Sequence, residues 1–251
     1  MINLTNKIAL VTGGSRGIGR ATAVMLAEAG AEVIICGRDP DSLERTRREI
    51  GGRAIRCDVS KIDEIEAMMA QIDQLDILVN NAVTSTSAPF DALTDDEFRY
   101  HIDVKLMAYI RIARLALERM GEGGRIVNIG GMTARIVAPL RMTNGVVNAG
   151  VANFTKQFAG YAAGRGVTVN CVHPGYTATE RIQQIFEREA KEARLSVEAI
   201  IEKRTGDIPL GKLIQPEDLA KAVLFFCSPL AEMITGQSIA VDGGSGAAIA
   251  Y

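Results

Sequence analysis

Three observations predict an α/β protein built on a doubly wound parallel β-sheet. Short, nearly continuous apolar runs alternate with longer stretches of helical periodicity, as expected for parallel strands covered on both faces. A glycine-rich segment over residues 12–19 follows the first apolar run and opens the first helical stretch. No linker, repeat or low-complexity tract divides the chain, so we predict a single domain over residues 1–251.

Seven apolar runs are the predicted strands, and their β-branched content supports that assignment. They cover residues 8–12, 32–36, 54–57, 77–80, 125–129, 168–172 and 238–241. The main amphipathic stretches are predicted helices over residues 18–29, 42–50, 62–72, 95–120, 143–163 and 216–227. Because strands and helices alternate, and crossovers are right-handed, we expect one open sheet with helices on both faces.

Residues 179–212 interrupt this alternation with a highly charged helical pattern. Opposite charges lie three to four residues apart, notably over residues 186–194, as on a solvated helix face. The segment follows the carboxyl end of a predicted strand. That position favours a lid over a substrate pocket, at about residues 179–212, over a plain surface excursion.

Composition and charge exclude several classes of function. The formal net charge is -2, from 28 basic and 30 acidic residues, which gives no electrostatic footprint for nucleic acid or an anionic membrane. No apolar run approaches the roughly 20 residues that span a bilayer. The first strand also begins too early for a signal peptide. We therefore expect a cytoplasmic protein.

The cysteines and histidines predict no metal site. None of the four cysteines has a partner at metal-ligand spacing, and neither histidine has one. His101 is predicted to lie on a helix surface or at a subunit interface. His173 is predicted to pack at the end of a strand.

The glycine-rich segment is typical of the Rossmann dinucleotide-binding fold. Gly13 allows the tight turn, Gly17 lets the backbone approach a pyrophosphate, and Gly19 lets the helix pack closely on the strand. The helix N-terminus presents free N–H groups and a partial positive charge to the phosphates. The predicted contacts of the cofactor in this segment are Gly13, Ser15, Arg16, Gly17, Ile18 and Gly19.

The residues after the second predicted strand favour NADP(H) over NAD(H). An acidic residue at the strand end would bind the ribose 2′-hydroxyl of NAD, but this chain has Cys36-Gly37-Arg38 there. The Arg38 guanidinium suits a 2′-phosphate, and Arg16 is expected to reach the same group. Asp39 argues in the other direction, since a carboxylate beside the ribose favours NAD(H).

Several further motifs resemble the short-chain dehydrogenase/reductase family over essentially the whole chain. They are Asp58-Val59, Asn80-Asn81-Ala82, Pro174-Gly175 with Thr179, Gly236-Gln237 and Val241-Asp242-Gly243-Gly244. The resemblance implies a small-molecule substrate and a homotetramer. It also implies cofactor contacts from Asp58, Val59, Asn81, Ala82, Pro174, Gly175, Thr177 and Thr179.

The side chains that carry the family's chemistry are replaced in this chain. The resemblance implies an asparagine, a serine, and a tyrosine and lysine four residues apart. The matching positions hold Lys105, Gly131, Asn144 and Asn148. No Y-x-x-x-K occurs anywhere in the chain, so a shift of alignment does not restore the tyrosine–lysine pair.

Two interpretations follow. In the first, the chain is an oxidoreductase with a rearranged site: Lys105 supplies the cation, and the amides of Asn144 and Asn148 donate to a carbonyl oxygen. Thr133 or Thr143 would stand near the missing serine. The proton would come from Tyr176 or from a bound water, although Tyr176 fits packing under the lid at least as well.

The substrate in that interpretation is a carbonyl compound or an activated C=C bond such as an enoyl thioester. The second interpretation is a catalytically silent protein, either an NADP(H) sensor or a scaffold subunit. The intact motifs around the nicotinamide side favour the enzyme.

Overall fold

The computed structural model describes residues 2–246, so the last five residues of the predicted domain lie outside it. Seven strands form one sheet of order β3-β2-β1-β4-β5-β6-β7, and every adjacent pair is parallel. The strands are β1 (Ile8–Thr12), β2 (Glu32–Gly37), β3 (Arg53–Arg56), β4 (Ile77–Asn80), β5 (Arg125–Ile129), β6 (Thr168–Pro174) and β7 (Ser238–Val241). This confirms the predicted doubly wound sheet.

Nine α-helices are present within residues 2–246. They are α1 (Gly17–Glu28), α2 (Pro40–Ile50), α3 (Ile62–Met69), α4 (Asp95–His101), α5 (Ala108–Leu117), α6 (Met142–Ala162), α7 (Glu180–Ala193), α8 (Val197–Gly206) and α9 (Pro216–Cys227). The charged segment predicted to be helical forms α7 and α8. Their small apolar core joins Phe186, Ala190 and Ile200.

Two hydrophobic cores cover the two faces of the sheet. One face packs against α3, α5 and α6, and the other packs against α1 and α9. Strand β4 is buried along its whole length, as expected for the apolar run over residues 77–79, and Asn80 at its end is buried as well.

The predicted helix over residues 95–120 is wrong in one respect, because a π-helical turn at Ile102–Met107 separates α4 from α5. The start of α4 is a capping box, in which Thr94 and Glu97 satisfy each other's backbone N–H groups. Apolar residues continue through the wide turn, so periodicity alone does not reveal it. The turn carries Lys105, whose side chain is buried.

The topology brings the functional motifs to one edge. The strand order reverses between β1 and β4, and ligands of open α/β sheets bind beyond the carboxyl ends of strands at such a switch point. No helix in residues 2–246 is long and apolar enough to cross a bilayer. The same residues contain no group of three or more acidic, histidine or cysteine side chains suited to a metal ion.

Candidate active site

The glycine loop between β1 and α1 has the shape that a pyrophosphate requires. Gly13 and Gly17 have φ angles of 63° and 52°, which favour glycine. A Cβ on Gly19 would lie 2.2 Å from the carbonyl oxygen of Gly13, so no larger residue fits. Among residues 2–246 no side chain makes a capping hydrogen bond to the first turn of α1. Its free N–H groups are therefore available to phosphate oxygens.

Asn81 and Ala82 hold this loop in place. The Asn81 Nδ2 atom donates to the carbonyl oxygens of Thr12 and Gly13, both at 3.0 Å. The backbone N–H groups of Asn81 and Ala82 donate to Thr12 Oγ1 at 2.9 and 3.1 Å. The motif after β4 therefore shapes the glycine loop from the neighbouring strand.

Replacing Gly19 by alanine is expected to weaken NADPH binding at least about 100-fold. The new Cβ would meet Gly13 O and Asn81 Nδ2, at 2.2 and 2.4 Å, so the loop must move away from the phosphates. Isothermal calorimetry measures the affinity. The matched control is Gly160→Ala in α6, where a Cβ meets nothing within 4 Å. If both variants bind NADPH alike, the loop does not form the phosphate site.

The end of β2 gathers the two arginines predicted to bind a 2′-phosphate. The Arg16 guanidinium contacts Asp39 and donates to Ser42 Oγ. Arg38 Nη1 donates to the Tyr100 hydroxyl at 2.9 Å. Both guanidinium groups are solvent-accessible, so both can be recruited by a phosphate.

Asp39 serves helix α2 in this structure. Its carboxylate accepts from the N–H groups of Asp41 and Ser42 at the start of the helix. The hydrogen bond from the Ser42 hydroxyl is the main cause that lowers the pKa of Asp39. Because the helix cap and Arg16 already use the Asp39 carboxylate, this group is less available to bind the ribose 2′-hydroxyl of NAD(H).

The dipeptide Asp58-Val59, which the family resemblance predicts to contact the cofactor, follows β3. Asp58 Oδ1 accepts from the N–H and hydroxyl of Ser60 at 3.0 and 2.8 Å, and Val59 is buried. These bonds shape a tight turn at the carboxyl end of β3. The turn therefore lies at the same edge of the sheet as the glycine loop.

The loop after β6 reaches back to the glycine loop. Pro174 pairs with Val241, and Thr177 Oγ1 donates to Gly175 O at 3.1 Å. Thr179 caps α7, and its Cγ2 atom lies 3.2 Å from where a Cβ on Gly17 would stand. The start of the charged segment over residues 179–212 therefore lies beside the glycine loop.

Lys105 is buried beneath the carboxyl end of β5. Only 3% of it is exposed, and its Nζ atom donates to the carbonyl oxygen of Gly130 at 2.8 Å. The Nζ atom also lies 5.9 Å from the centroid of the Tyr109 ring. Burial is the main cause that lowers the pKa of Lys105 from its ordinary value of 10.5 to about 7; Cys171 opposes this shift and the charge of Arg181 contributes to it. This amine can therefore exchange a proton near neutral pH.

The side chains of Asn148 and Lys105 both approach the dipeptide Gly130-Gly131. A Cβ on Gly131 would lie 2.3 Å from Asn148 Nδ2, so the amide fills the space that a side chain at position 131 needs. Asn148 Nδ2 donates to Thr133 Oγ1 at 2.8 Å. The structure therefore brings Lys105 and Asn148 to the two residues Gly130 and Gly131.

The side-chain amides of Asn144 and Asn148 each use one N–H of the NH₂ group and leave the Oδ1 atom without a partner among residues 2–246. Asn144 Nδ2 donates to Thr84 O at 3.3 Å, and Asn148 Nδ2 is bonded to Thr133. The Oδ1 atoms of both residues are buried and have no partner among residues 2–246. The Thr143 hydroxyl there is also buried and unpartnered. Each NH₂ group keeps one further N–H, so the donation of both amides to a substrate oxygen stays a prediction.

Tyr176 lies under the helices of the charged segment. Its ring centroid is 6.2 Å from that of Phe186 in α7, and the Arg204 guanidinium lies 5.5 Å from the ring centroid. Tyr176 therefore packs against the charged segment, which is one of the two roles expected for it from the sequence. They connect the loop after β6 to α7 and α8.

The structure revises the account of both histidines. His101 is only 2% exposed, and its Nε2 atom lies 2.9 Å from Thr86 Oγ1, so its predicted place on a surface is wrong. His173 packs at a strand end as predicted. Its Nδ1 atom also accepts the N–H of Gly131 at 3.0 Å, a contact that its position before Pro174-Gly175 does not reveal.

The sheet, the glycine loop and the free N-terminus of α1 define a dinucleotide-binding α/β protein. A family model described as enoyl-(acyl carrier protein) reductase matches residues 13–246. A solved short-chain dehydrogenase/reductase family protein is 31% identical, with a TM-score of 0.86, covering 98% of this chain and 100% of its own. The chain belongs to the short-chain dehydrogenase/reductase family.

Two further relatives are named for reductases. The chain is 35% identical to the 3-oxoacyl-[acyl-carrier-protein] reductase of Vibrio harveyi, over 97% of this chain and 98% of that one. It is 29% identical to a solved actinorhodin polyketide ketoreductase with NADPH, at a TM-score of 0.92, covering 99% of this chain and 100% of that one.

Proposed function

We propose that this protein is an NADP(H)-dependent ketoreductase in which Lys105 replaces the family's tyrosine–lysine pair as proton donor. The observation that supports this proposal most directly is the buried Lys105 side chain. Its Nζ atom donates to the carbonyl oxygen of Gly130, and Asn148 lies beside the next residue, Gly131. The relatives named above and the paired arginines at the end of β2 support the reductase and its cofactor. In this proposal the protein is a divergent member of the family, because Gly131, Asn144 and Asn148 replace the family's serine, tyrosine and lysine.

The cofactor site fits NADP(H) from its own residues. The N–H groups at the start of α1 and the loop from Gly13 to Gly19 take the pyrophosphate, and Arg16 and Arg38 take the 2′-phosphate. Asp58 and Val59 border the adenine, and the turn at Pro174-Gly175 borders the nicotinamide. When bound, NADPH supplies the hydride that reduces the substrate's carbonyl carbon.

Lys105 supplies the proton for this reduction. As the carbonyl oxygen gains negative charge, a bridging water gives it a proton and an O–H bond forms, while an N–H bond of the Lys105 ammonium breaks and returns a proton to that water. The neutral amine then recovers a proton from solvent. A lysine whose pKa is about 7 is a far better donor at neutral pH than one of ordinary pKa.

The asparagines hold water between Lys105 and the substrate. A free carbonyl oxygen repels a substrate oxygen, but a water that donates one hydrogen to Asn144 or Asn148 keeps the other for the substrate. The unpartnered Oδ1 atoms of these residues need such a donor. The relay therefore runs from Lys105 through water to the carbonyl oxygen.

The segment over residues 179–212 acts as the lid in this proposal. Thr179 touches the glycine loop, and the charge of Arg181 reaches Lys105. Helices α7 and α8 are held together by their own apolar core and by the Arg204–Glu189 ion pair at 2.8 Å. The pair can therefore move as a unit, which would exclude water during the reaction.

Oxidation of NADPH across a panel of ketones and enoyl thioesters tests the proposal. With deuterated cofactor, ketone reduction places deuterium on the carbinol carbon, whereas enoyl reduction places it on the β-carbon. Deuterium on the β-carbon would replace ketone reduction with enoyl reduction. Tight NADPH binding without turnover across the panel would favour the silent sensor or scaffold.

The rate of ketone reduction is expected to fall as pH rises above about 7. Lys105 donates a proton only in its charged form, and its pKa is about 7. At higher pH kcat should fall by about tenfold per unit, while alcohol oxidation, which needs the neutral amine, should rise toward a plateau. Rates measured in both directions between pH 5.5 and 9.5 check this. If the rates in both directions do not change across pH 7, Lys105 is not the proton donor.

We also propose that this protein forms a homotetramer. Helix α6 carries a ladder of stacked rings, with centroids 5.1 Å apart for Phe154 and Phe158 and 6.1 Å apart for Phe158 and Tyr161. Tyr161 is 72% exposed, so the ladder can pack against another subunit. Light scattering is expected to give four times the chain mass, and a monomer mass would contradict the proposal.

A further inference from the structure

The peptide unit that joins Gly130 and Gly131 is gripped from both sides. Its carbonyl oxygen accepts from Lys105 Nζ at 2.8 Å, and its N–H donates to His173 Nδ1 at 3.0 Å. In a planar trans peptide the C=O and N–H point in opposite directions. Lys105 and His173 therefore face each other across one rigid group.

We propose that His173 is a positioning residue for Lys105, acting through the Gly130–Gly131 peptide. By accepting the Gly131 N–H, His173 fixes the rotation of this peptide and so the place of the carbonyl oxygen that holds the Lys105 ammonium. The inference rests on the proposed role of Lys105. It adds a side chain from β6 to a site otherwise built from the π-helical turn, β5 and α6.

The two glycines allow this arrangement. A Cβ on Gly130 would lie 2.4 Å from His173 Nδ1, and a Cβ on Gly131 would lie 2.3 Å from Asn148 Nδ2. The His173 imidazole and the Asn148 amide thus fill the space that side chains at positions 130 and 131 would need. With no side chain of its own, the peptide depends on its two hydrogen bonds for a fixed orientation.

The imidazole is in the form that the contact requires. His173 is 1% exposed, and its Nε2 atom lies 3.8 Å from Cys171 Sγ. Because Nδ1 accepts the Gly131 N–H, the neutral ring carries its proton on Nε2. Burial lowers the pKa of His173 to about 4, and the charges of Arg135 and Lys105 act in the same direction. The acceptor is therefore present throughout the neutral range.

The titratable groups around Lys105 come from four elements. His101 in α4 and Arg181 in α7 interact with its charge, and Cys171 in β6 favours the ammonium. Tyr109 in α5 places its ring beneath the Nζ atom. None of the interactions with these side chains is a hydrogen bond to Nζ in residues 2–246, so the carbonyl oxygen of Gly130 is its hydrogen-bond partner there.

The test compares His173→Leu with His173→Asn. Leucine fills the space without an acceptor, whereas asparagine offers Oδ1 close to the position of Nδ1. In the leucine variant the peptide turns and the ammonium loses its acceptor, which favours the neutral amine. We expect the Lys105 pKa to fall by about one unit and kcat to fall about 10- to 100-fold. The asparagine variant should return both to within about threefold of wild type.

Two readouts separate this inference from the proposed function. The ¹³Cε signal of Lys105 in lysine-labelled protein reports its pKa directly, and the pH dependence of kcat reports the proton donor. If both midpoints fall in His173→Leu and return in His173→Asn, the inference is supported. If only the NMR midpoint responds, His173 still positions Lys105, but Lys105 is not the donor and the proposed function fails.

An NMR midpoint unchanged in a folded His173→Leu variant would overturn the inference. Where that variant does not fold, the wild-type protein supplies the test. A nitrogen–nitrogen coupling across the hydrogen bond from Gly131 N to His173 Nδ1 is expected near pH 7. Its absence in well-resolved spectra would equally overturn the proposal.

Discussion

Replacing Lys105 by methionine is expected to abolish turnover and, at the same time, to stabilise the fold. Loss of a general acid commonly costs about 10²- to 10⁴-fold in rate. The cofactor contacts that we propose lie in the glycine loop and at the end of β2, so NADPH affinity should stay within a few-fold. The two effects have one cause, which is the burial of an ionisable amine.

The gain in stability follows from the lowered pKa. The folded protein holds the Lys105 pKa at about 7, against 10.5 ordinarily, so between these values the unfolded chain binds more protons. Wild-type stability therefore rises with pH across that window. Methionine avoids the cost of burying the charge, and we expect it to raise the free energy of unfolding by about 2–5 kcal/mol at pH 7. The gain should shrink as pH approaches 10.5.

Urea denaturation at several pH values, beside steady-state kinetics, measures both effects. Lys61→Met is the matched control, because Lys61 is exposed and pairs with Glu64 at 2.9 Å on the protein surface. The control should change neither turnover nor the pH dependence of stability. A Lys105→Met enzyme that turns over at the wild-type rate would remove Lys105 from the chemistry.

Removing both Arg16 and Arg38 is expected to cost NADPH binding about 10²- to 10⁴-fold while changing NADH binding only a few-fold. In the proposed site each guanidinium would make charge-assisted hydrogen bonds to the 2′-phosphate, worth about 1.5–3 kcal/mol apiece. NADH has no such phosphate, so its contacts are unaffected. Calorimetric affinities for the two nucleotides give the ratio.

Arg20→Ala is the control for this pair of arginines. Arg20 lies one turn beyond Arg16 on α1, but it pairs with Glu49. Its removal should leave the ratio of NADPH to NADH affinity unchanged. If the double variant also keeps that ratio, the end of β2 does not read the 2′-phosphate.

The sheet was predictable because burial on both faces leaves a clear trace in the sequence. Strand β4, for example, is apolar and then polar only at Asn80, and the glycines of the first loop have no alternative residue that fits. The π-helical turn was not predictable, because the apolar residues around Lys105 continue with helical spacing on both sides.

The site was predictable as a set of positions but not as a set of atoms. The sequence indicates that Lys105, Asn144 and Asn148 come together. Which amide atom is free depends on Thr84 and Thr133, whose positions follow from loop geometry. His173 reaches the site only through the backbone of Gly131, and no spacing between the two residues predicts such a contact.

The most direct test of the account is the titration of Lys105 itself in the complex with NADP. In ¹³Cε-lysine-labelled protein its signal is the one missing from the Lys105→Met variant. The account predicts a midpoint near 7, equal to the midpoint at which ketone reduction declines. A midpoint near the ordinary lysine value of 10.5, with reduction still declining near pH 7, would show that another group donates the proton.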